Sequence, residues 1–184
     1  MARTTITEAL AEIKTIHKRL EKKREFIGAH LARNENIRDP FLKDGGSEQL
    51  IMQEMQSVRD LTKRHVRIRL AIAEANQRIM VTVGDNTASI AEWLVWRREI
   101  APHGQLFLSR MARGLADIRR QAQQKGMTIG VGAGVQVGGE KPPDIIVNLN
   151  EKNLSEEIER LELILGELDG QLSLKNATET IEIP

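Results

Sequence analysis

The sequence predicts a mainly α-helical protein, a long antiparallel helical hairpin or coiled-coil bundle with a small β appendage. Three observations lead there. Apolar residues recur at alternating spacings of three and four over several long stretches, the period of a helix that buries one face. Hydrophobic residues make up 40% of the chain but aromatic ones only 3%, with no tyrosine, so the core must be aliphatic. Between residues 126 and 150 the period changes from helical to two, the period of a strand.

The first helix is expected from Thr7 to Arg33. Ile6, Leu10, Ile13, His17, Leu20, Arg24, Ile27 and Leu31 form an a/d seam of strict 4-3 alternation. Asp39-Pro40 and Asp44-Gly45-Gly46 then supply turn chemistry over 34–46. Ser47 is expected to cap a second helix reaching Met80, with Ile51, Met55, Val58, Leu61, His65, Ile68, Ile72, Ala75 and Ile79 as its seam. Two long helices joined by a short loop lie antiparallel, each burying the other's stripe.

Met80 to Val83 followed by Gly84-Asp85-Asn86 reads as a short extended segment and turn. Ser89-Ile-Ala-Glu92 is a capping box, in which the Ser oxygen and Glu carboxylate satisfy each other's orphan backbone N–H groups. It opens a third helix to about Gln124 with Ile90, Trp93, Leu94, Ile100, Phe107, Met111, Leu115 and Ile118 inward. Pro102 and Gly104 predict a kink or break near 101–104.

From Met127 to Val137 apolar residues alternate with Thr128, Gly130, Gly132, Gly134 and Gln136. One face of such a strand is apolar and the other almost bare, which lets another backbone approach closely. Residues 144–150 alternate as a second strand, expected to form a hairpin with the first or to join strands of another subunit. Asn153-Leu-Ser-Glu156 reads as a capping box for a last helix with Leu154, Ile158, Leu161, Leu165, Leu168 and Leu172 as a near-pure leucine seam. A terminal strand is expected over 178–183. The expected domains are a three-helix bundle over 1–125, a Gly-rich β hairpin or arm over 126–150, and a zipper-like helix with its strand over 151–184 packed on the bundle.

Charge is divided along the chain. Residues 1–125 hold 23 Lys and Arg against 15 Asp and Glu, whereas residues 126–184 hold 4 against 11. Such a split suits either nucleic-acid binding through the basic part or an acidic end folded onto a basic body, and the second is the reading preferred, because the chain carries its own countercharge. The absence of cysteine excludes disulfides, Cys-ligated zinc and thiol nucleophiles. No apolar run approaches the roughly 20 residues that span a bilayer, and no signal peptide is expected, since Met1-Ala-Arg-Thr-Thr leads straight into an amphipathic helix. The expected location is therefore cytoplasmic, or the virion if the chain is phage-encoded, with no membrane partner.

Few residues carry chemistry. Gly130-Val-Gly-Ala-Gly134 lacks the Lys-Ser/Thr of a phosphate loop and the spacing of GxGxxG, so it reads as a close-packed strand or connector. His17 and His65 are placed to face each other across the hairpin, where a metal site, a pH switch and a polar register device are the alternatives; the last is preferred, and no metal or cofactor is expected. Arg59, Lys63, Arg64 and Arg67 form the densest basic stripe, suited to phosphate but with little aromatic interleaving. The acidic helix with Glu156, Glu157, Glu159 and Glu162 is a ready alternative partner. Trp93 and Trp96 lie three apart and read as core neighbours, with a partner-facing hot spot as the alternative.

Three groups of residues are similar to a family of small bacterial proteins of unknown function, some described as septicolysin-like. They are Ile6-Thr-Glu-Ala-Leu10 with Lys18-Arg19-Leu20; Ile72-Ala-Glu-Ala-Asn76 with Gly84-Asp85, Ser89-Ile-Ala-Glu92 and Arg97-Arg98; and Val147-Asn148-Leu149 through Leu168-Asp169 to Asn176-Ala-Thr178. The resemblance implies a helical-hairpin fold and carries over no catalytic residue. The Gly-rich stretch 126–143 and Pro102 depart from it.

With no catalytic constellation, the expected function is a non-enzymatic structural or assembly protein, a homo-oligomer or the repeated subunit of a larger complex. A phage virion component, capsid-associated or head–tail, is the specific setting expected, with other structural proteins as further partners. Self-association is expected through strand addition by Ile129, Val131, Gly132, Gly134, Val135, Val137, Ile145, Val147, Ile181 and Ile183. The alternative is a cytosolic nucleic-acid-binding or regulatory coiled-coil adaptor using the basic stripe over 59–69.

Overall fold

A computed structural model describes residues 2–34, 36–131 and 143–184. It is mainly helical with short strands, as the periodicity predicts. The chain divides into two compact units, Met1–Ile79 with Leu172–Pro184, and Met80–Gln171. The helices of residues 90–125 fall in the second unit, and the last helix begins in the second unit and ends in the first.

In the first unit, β1 (Ala2–Thr5) leads into α1 (Ile6–Ala29), and α2 (Ser47–Arg78) returns antiparallel to it. Thr5 and Glu8 form a capping box at the start of α1, worth about 1 kcal/mol by general measure. The buried positions of α1 are Ile6, Ala9, Ile13, Ile16 and Leu20, a 3-4 ladder in which Ala9 and Ile16 take the places expected for Leu10 and His17. That ladder is apolar throughout, so it buries no imidazole; His17 is exposed. The seam of α2 lies as expected at Ile68, Ile72, Ala75 and Ile79, and burial declines toward the loop, where Met55 is exposed. Two helices alone cannot cover each other fully; near the base, β6 (Thr180–Ile183) packs on α2 and pairs antiparallel with β1.

The turn is organised by Asp39. Its carboxylate accepts from the Phe41 and Ser47 N–H groups at 2.9 and 2.8 Å and from the Ser47 hydroxyl at 2.7 Å. These bonds hold its pKa down at about 2. Ser47 is therefore the first residue of α2 and not its cap; Asp39 reaches back to serve the helix N-terminus. Gly45 and Gly46 have φ of 94° and 92°, which side chains with a Cβ resist. α1 stops at Ala29, four residues early, and leaves Leu31 exposed.

The second unit opens with a hairpin, β2 (Met80–Val83) and β3 (Asn86–Ser89), turning at Gly84. The Ser89–Glu92 capping box forms as expected and starts α3 (Ile90–Val95). A π-helical turn over Trp96–Ile100 then joins α3 to α4 (Ala101–Lys125), with the Ala101 N–H bonded to the Trp96 carbonyl five residues back. The break expected at 101–104 is thus this wider turn just before Pro102, whose missing N–H could not have continued the α pattern.

The π turn adds one residue to the repeat. Continuing from Trp93 in sevens would put Ile100 and Phe107 inward; instead Ala101, Leu108 and Leu115 face in, followed by Ala122. Ile100 and Phe107, expected inward, are exposed as a consequence, and the expected inward positions Leu94 and Ile118 are exposed as well. Gly104 faces Leu161 closely enough that an added Cβ would lie 3.5 Å from its Cδ2.

β4 (Ile129–Val131) pairs with β5 (Ile145–Val147) in parallel, not as the expected hairpin. Parallel neighbours need a connection of about a dozen residues, and 132–144 supplies it. α5 (Glu151–Thr178) begins earlier than the expected capping box, with Asn150 Oδ1 accepting from the Lys152 N–H. Its leucine seam is as expected: Leu154, Leu168 and Leu172 are buried, and Ile158, Leu161 and Leu165 half-buried.

Candidate functional site

Several of the strand residues expected to lock neighbouring subunits make contacts within their own chain. Val147 is buried with Leu115 and Leu154, and Ile129 packs on the same cluster. Ile145 pairs with Ile129, and Val131 with Val147. Ile181 and Ile183 are buried in the first unit, paired with Thr4 and Ala2. The side chains of Val147, Ile181 and Ile183 are thus covered within the chain, while each two-stranded sheet pairs only one edge of each of its strands. The bare strand face is used too: a Cβ on Gly130 would fall 2.6 Å from Pro143 Cγ. Gly132, Gly134, Val135 and Val137 lie outside the described residues.

The basic stripe separates into two roles. Arg64 is half-buried and donates to both Glu12 oxygens at 2.9 and 3.3 Å, a bidentate pair that raises its pKa and fixes the register of α1 on α2. Arg64 is thus engaged within the hairpin. Arg59, Lys63 and Arg67 follow at intervals of four on the exposed side of α2, and no carboxylate lies within ion-pair distance of them among the described residues.

The acidic helix was expected to neutralise this stripe. Its Glu156 and Glu157 pair instead with Lys152 and Arg160 of the same helix. The acidic end does meet basic residues of the second unit, through Arg97–Asp169 at 3.0 Å and Arg119–Glu151.

His17 and His65 do face each other, with their Nε2 atoms 3.2 Å apart and the rings edge to face. The pair is at the hairpin's side, His17 exposed and His65 half-buried, because Ile16 occupies the inward position. Partial burial, His17 and Arg69 all lower the His65 pKa. His30 closes a second cluster at the hairpin turn, between Phe26 and Phe41.

Trp93 is a core residue as expected. It donates its indole N–H to the Val81 carbonyl at 3.0 Å and meets Trp96 edge to face at 5.6 Å. A groove of about 380 Å³ runs over Leu115, Leu154 and Ile158, with the Arg119–Glu151 pair at its rim.

The feature that sequence reading missed is the apolar surface turned outward by the π turn. Ile100 is 57% exposed, Phe107 61% and Ile118 38%. At 100° per residue these three share one side of the helix, directly beside the buried stripe of Ala101, Leu108 and Leu115. The apolar side of α4 thus extends beyond the stripe buried within the chain. The signal lay in the sequence as a step of eight positions, not seven, from Trp93 to Ala101; small alanines at inward positions concealed it.

No family model and no curated protein matches this chain. Its fold is similar to the crystal structure of a functionally unknown conserved protein from Corynebacterium diphtheriae, with a TM-score of 0.57 and 14% identity, over 98% of this chain and 100% of that one. At that identity the likeness shows a shared helical fold.

Proposed function

We propose that this chain is a non-enzymatic assembly protein that associates with further copies of itself through the outward apolar side of α4. The observation that supports the reading is the exposed set Phe107 and Ile118 on one side of α4, with Ile100 at its N-cap. Scattered exposed apolar residues are ordinary, but exposed apolar residues aligned along one side of a helix beside its buried stripe suit a protein–protein contact. Helix-on-helix packing is the natural mode, because a second α4 offers a complementary stripe. No helix among the described residues is long and apolar enough to cross a membrane, so a bilayer-spanning role gives these residues no alternative cover.

The test is the solution mass of the purified chain by light scattering, at low and high salt. A defined oligomer that survives high salt, and that Phe107→Asp with Ile118→Asp reduces to monomer, is the expected result. A monomer at every concentration up to the solubility limit would exclude self-assembly.

A second reading has its own support. Arg59, Lys63 and Arg67 carry three aligned positive charges with no carboxylate at ion-pair distance among the described residues, which suits a polyanion. Binding to DNA or RNA that weakens steeply with salt, with a salt slope that falls by about one for each of these residues replaced by alanine, would favour it. Unchanged binding in the triple variant would remove it.

A further inference from the structure

We propose that His17 and His65 form a cross-helix binding site for a divalent transition-metal ion of the zinc, nickel or copper type, held between α1 and α2 through the two Nε2 atoms. The distance between those atoms, 3.2 Å, is the first argument. With metal–nitrogen bonds of about 2.0–2.1 Å, that separation subtends roughly 100° at the ion, between the square-planar and tetrahedral angles. A hydrogen bond between the two Nε2 atoms spans the same distance, so an ion can replace the shared hydrogen without moving the rings apart.

The second argument is that the pair is held in place. On α1, Ile13, Ile16 and Leu20 are buried on either side of His17, and on α2 Ile68 and Ile72 are buried just beyond His65. The Glu12–Arg64 fork clamps the same two helices one residue before His65. Binding therefore does not have to gather the ligands from separate mobile segments, which removes much of the ordering cost.

The third argument is the ligand chemistry. Imidazole selects zinc, nickel or copper over the oxygen-seeking magnesium and calcium. The described residues assemble no third His, Asp or Glu at the pair, so water fills the remaining positions and the ion exchanges readily.

The test uses the full-length, tag-free chain after chelator treatment. Zinc, nickel and copper(II) chlorides are titrated separately by calorimetry, with thermal melting followed in parallel and magnesium as control. The expected result is saturable binding of one ion per chain for at least one of the three and a higher Tm with that ion than with magnesium. His17→Gln and His65→Gln each lower the affinity at least tenfold. Both variants keep a hydrogen-bonding side chain, and unchanged helical circular dichroism shows that each has folded. Copper(II) should give a spin-resonance spectrum with two equivalent imidazole nitrogens, lost in either variant. No saturable binding of any of the three ions overturns the proposal, and so does an affinity that either glutamine variant leaves unchanged. Neither outcome bears on self-assembly, which is read from mass and not from metal.

Discussion

Replacing Phe107 by alanine tests the phase of the longest surprise in the fold and the proposed function together. If α3 and α4 were one unbroken α-helix, Phe107 would lie inward two heptads after Trp93, and its loss would cost about 3–5 kcal/mol. With the π turn it is 61% exposed, so the isolated chain should change by no more than about 0.5 kcal/mol. Leu115→Ala is the control: it is buried with Val147 and Leu154, and should cost about 2–5 kcal/mol. Urea denaturation at the lowest workable concentration reads both. Association is read separately. A phenylalanine buries about 150–250 Å², so its exposed share leaves on the order of 100 Å² for a partner to cover. At about 25 cal/mol per Å² that is about 2.5 kcal/mol, or nearly a hundredfold in Kd as an upper limit. Concentration-dependent light scattering should show the Phe107→Ala dissociation curve displaced toward higher concentration. Equal destabilisation by both substitutions would refute the phase argument. An unmoved dissociation curve would refute the assembly face.

Ile16→Ala should destabilise the hairpin by about 2–5 kcal/mol, whereas Leu31→Ala should stay within about 0.5 kcal/mol, both by denaturant titration. Asp39→Asn should lower Tm at pH 7, because it removes the carboxylate that serves the start of α2. Its folded-state pKa is depressed from 3.8 to about 2, so the stability it supplies is full above the unfolded value and is lost as pH falls through about 2. The Tm gap between the two proteins should therefore close over that window, and a gap constant from pH 7 to pH 2 would count against the role. Trp93→Phe should cost about 1–3 kcal/mol by removing the indole bond to Val81. A cost as small as that of exposed substitutions would show the bond to be immaterial.

The sequence by itself determined the helices, their antiparallel hairpin and the leucine seam of α5, because a 3.6-residue period and local capping are written in neighbouring residues. The Ser89–Glu92 box is the clearest case: both partners lie within one turn, and it forms as read. It also placed His17 opposite His65, since a hairpin with one short loop fixes which residues can meet. Tertiary structure decided the rest. Whether His17 or Ile16 turned inward depended on what α2 offered, and a wholly apolar ladder won over one that buried an imidazole. The cap of α2 came from Asp39, eight residues before Ser47, beyond any local motif. The parallel pairing of Ile129–Val131 with Ile145–Val147, and of the two chain ends with each other, joins residues whose contact no periodicity records. The outward face of α4 came from one added residue in a π turn. A heptad count passes over such an insertion, because only the helix that packs against it reveals which side is covered.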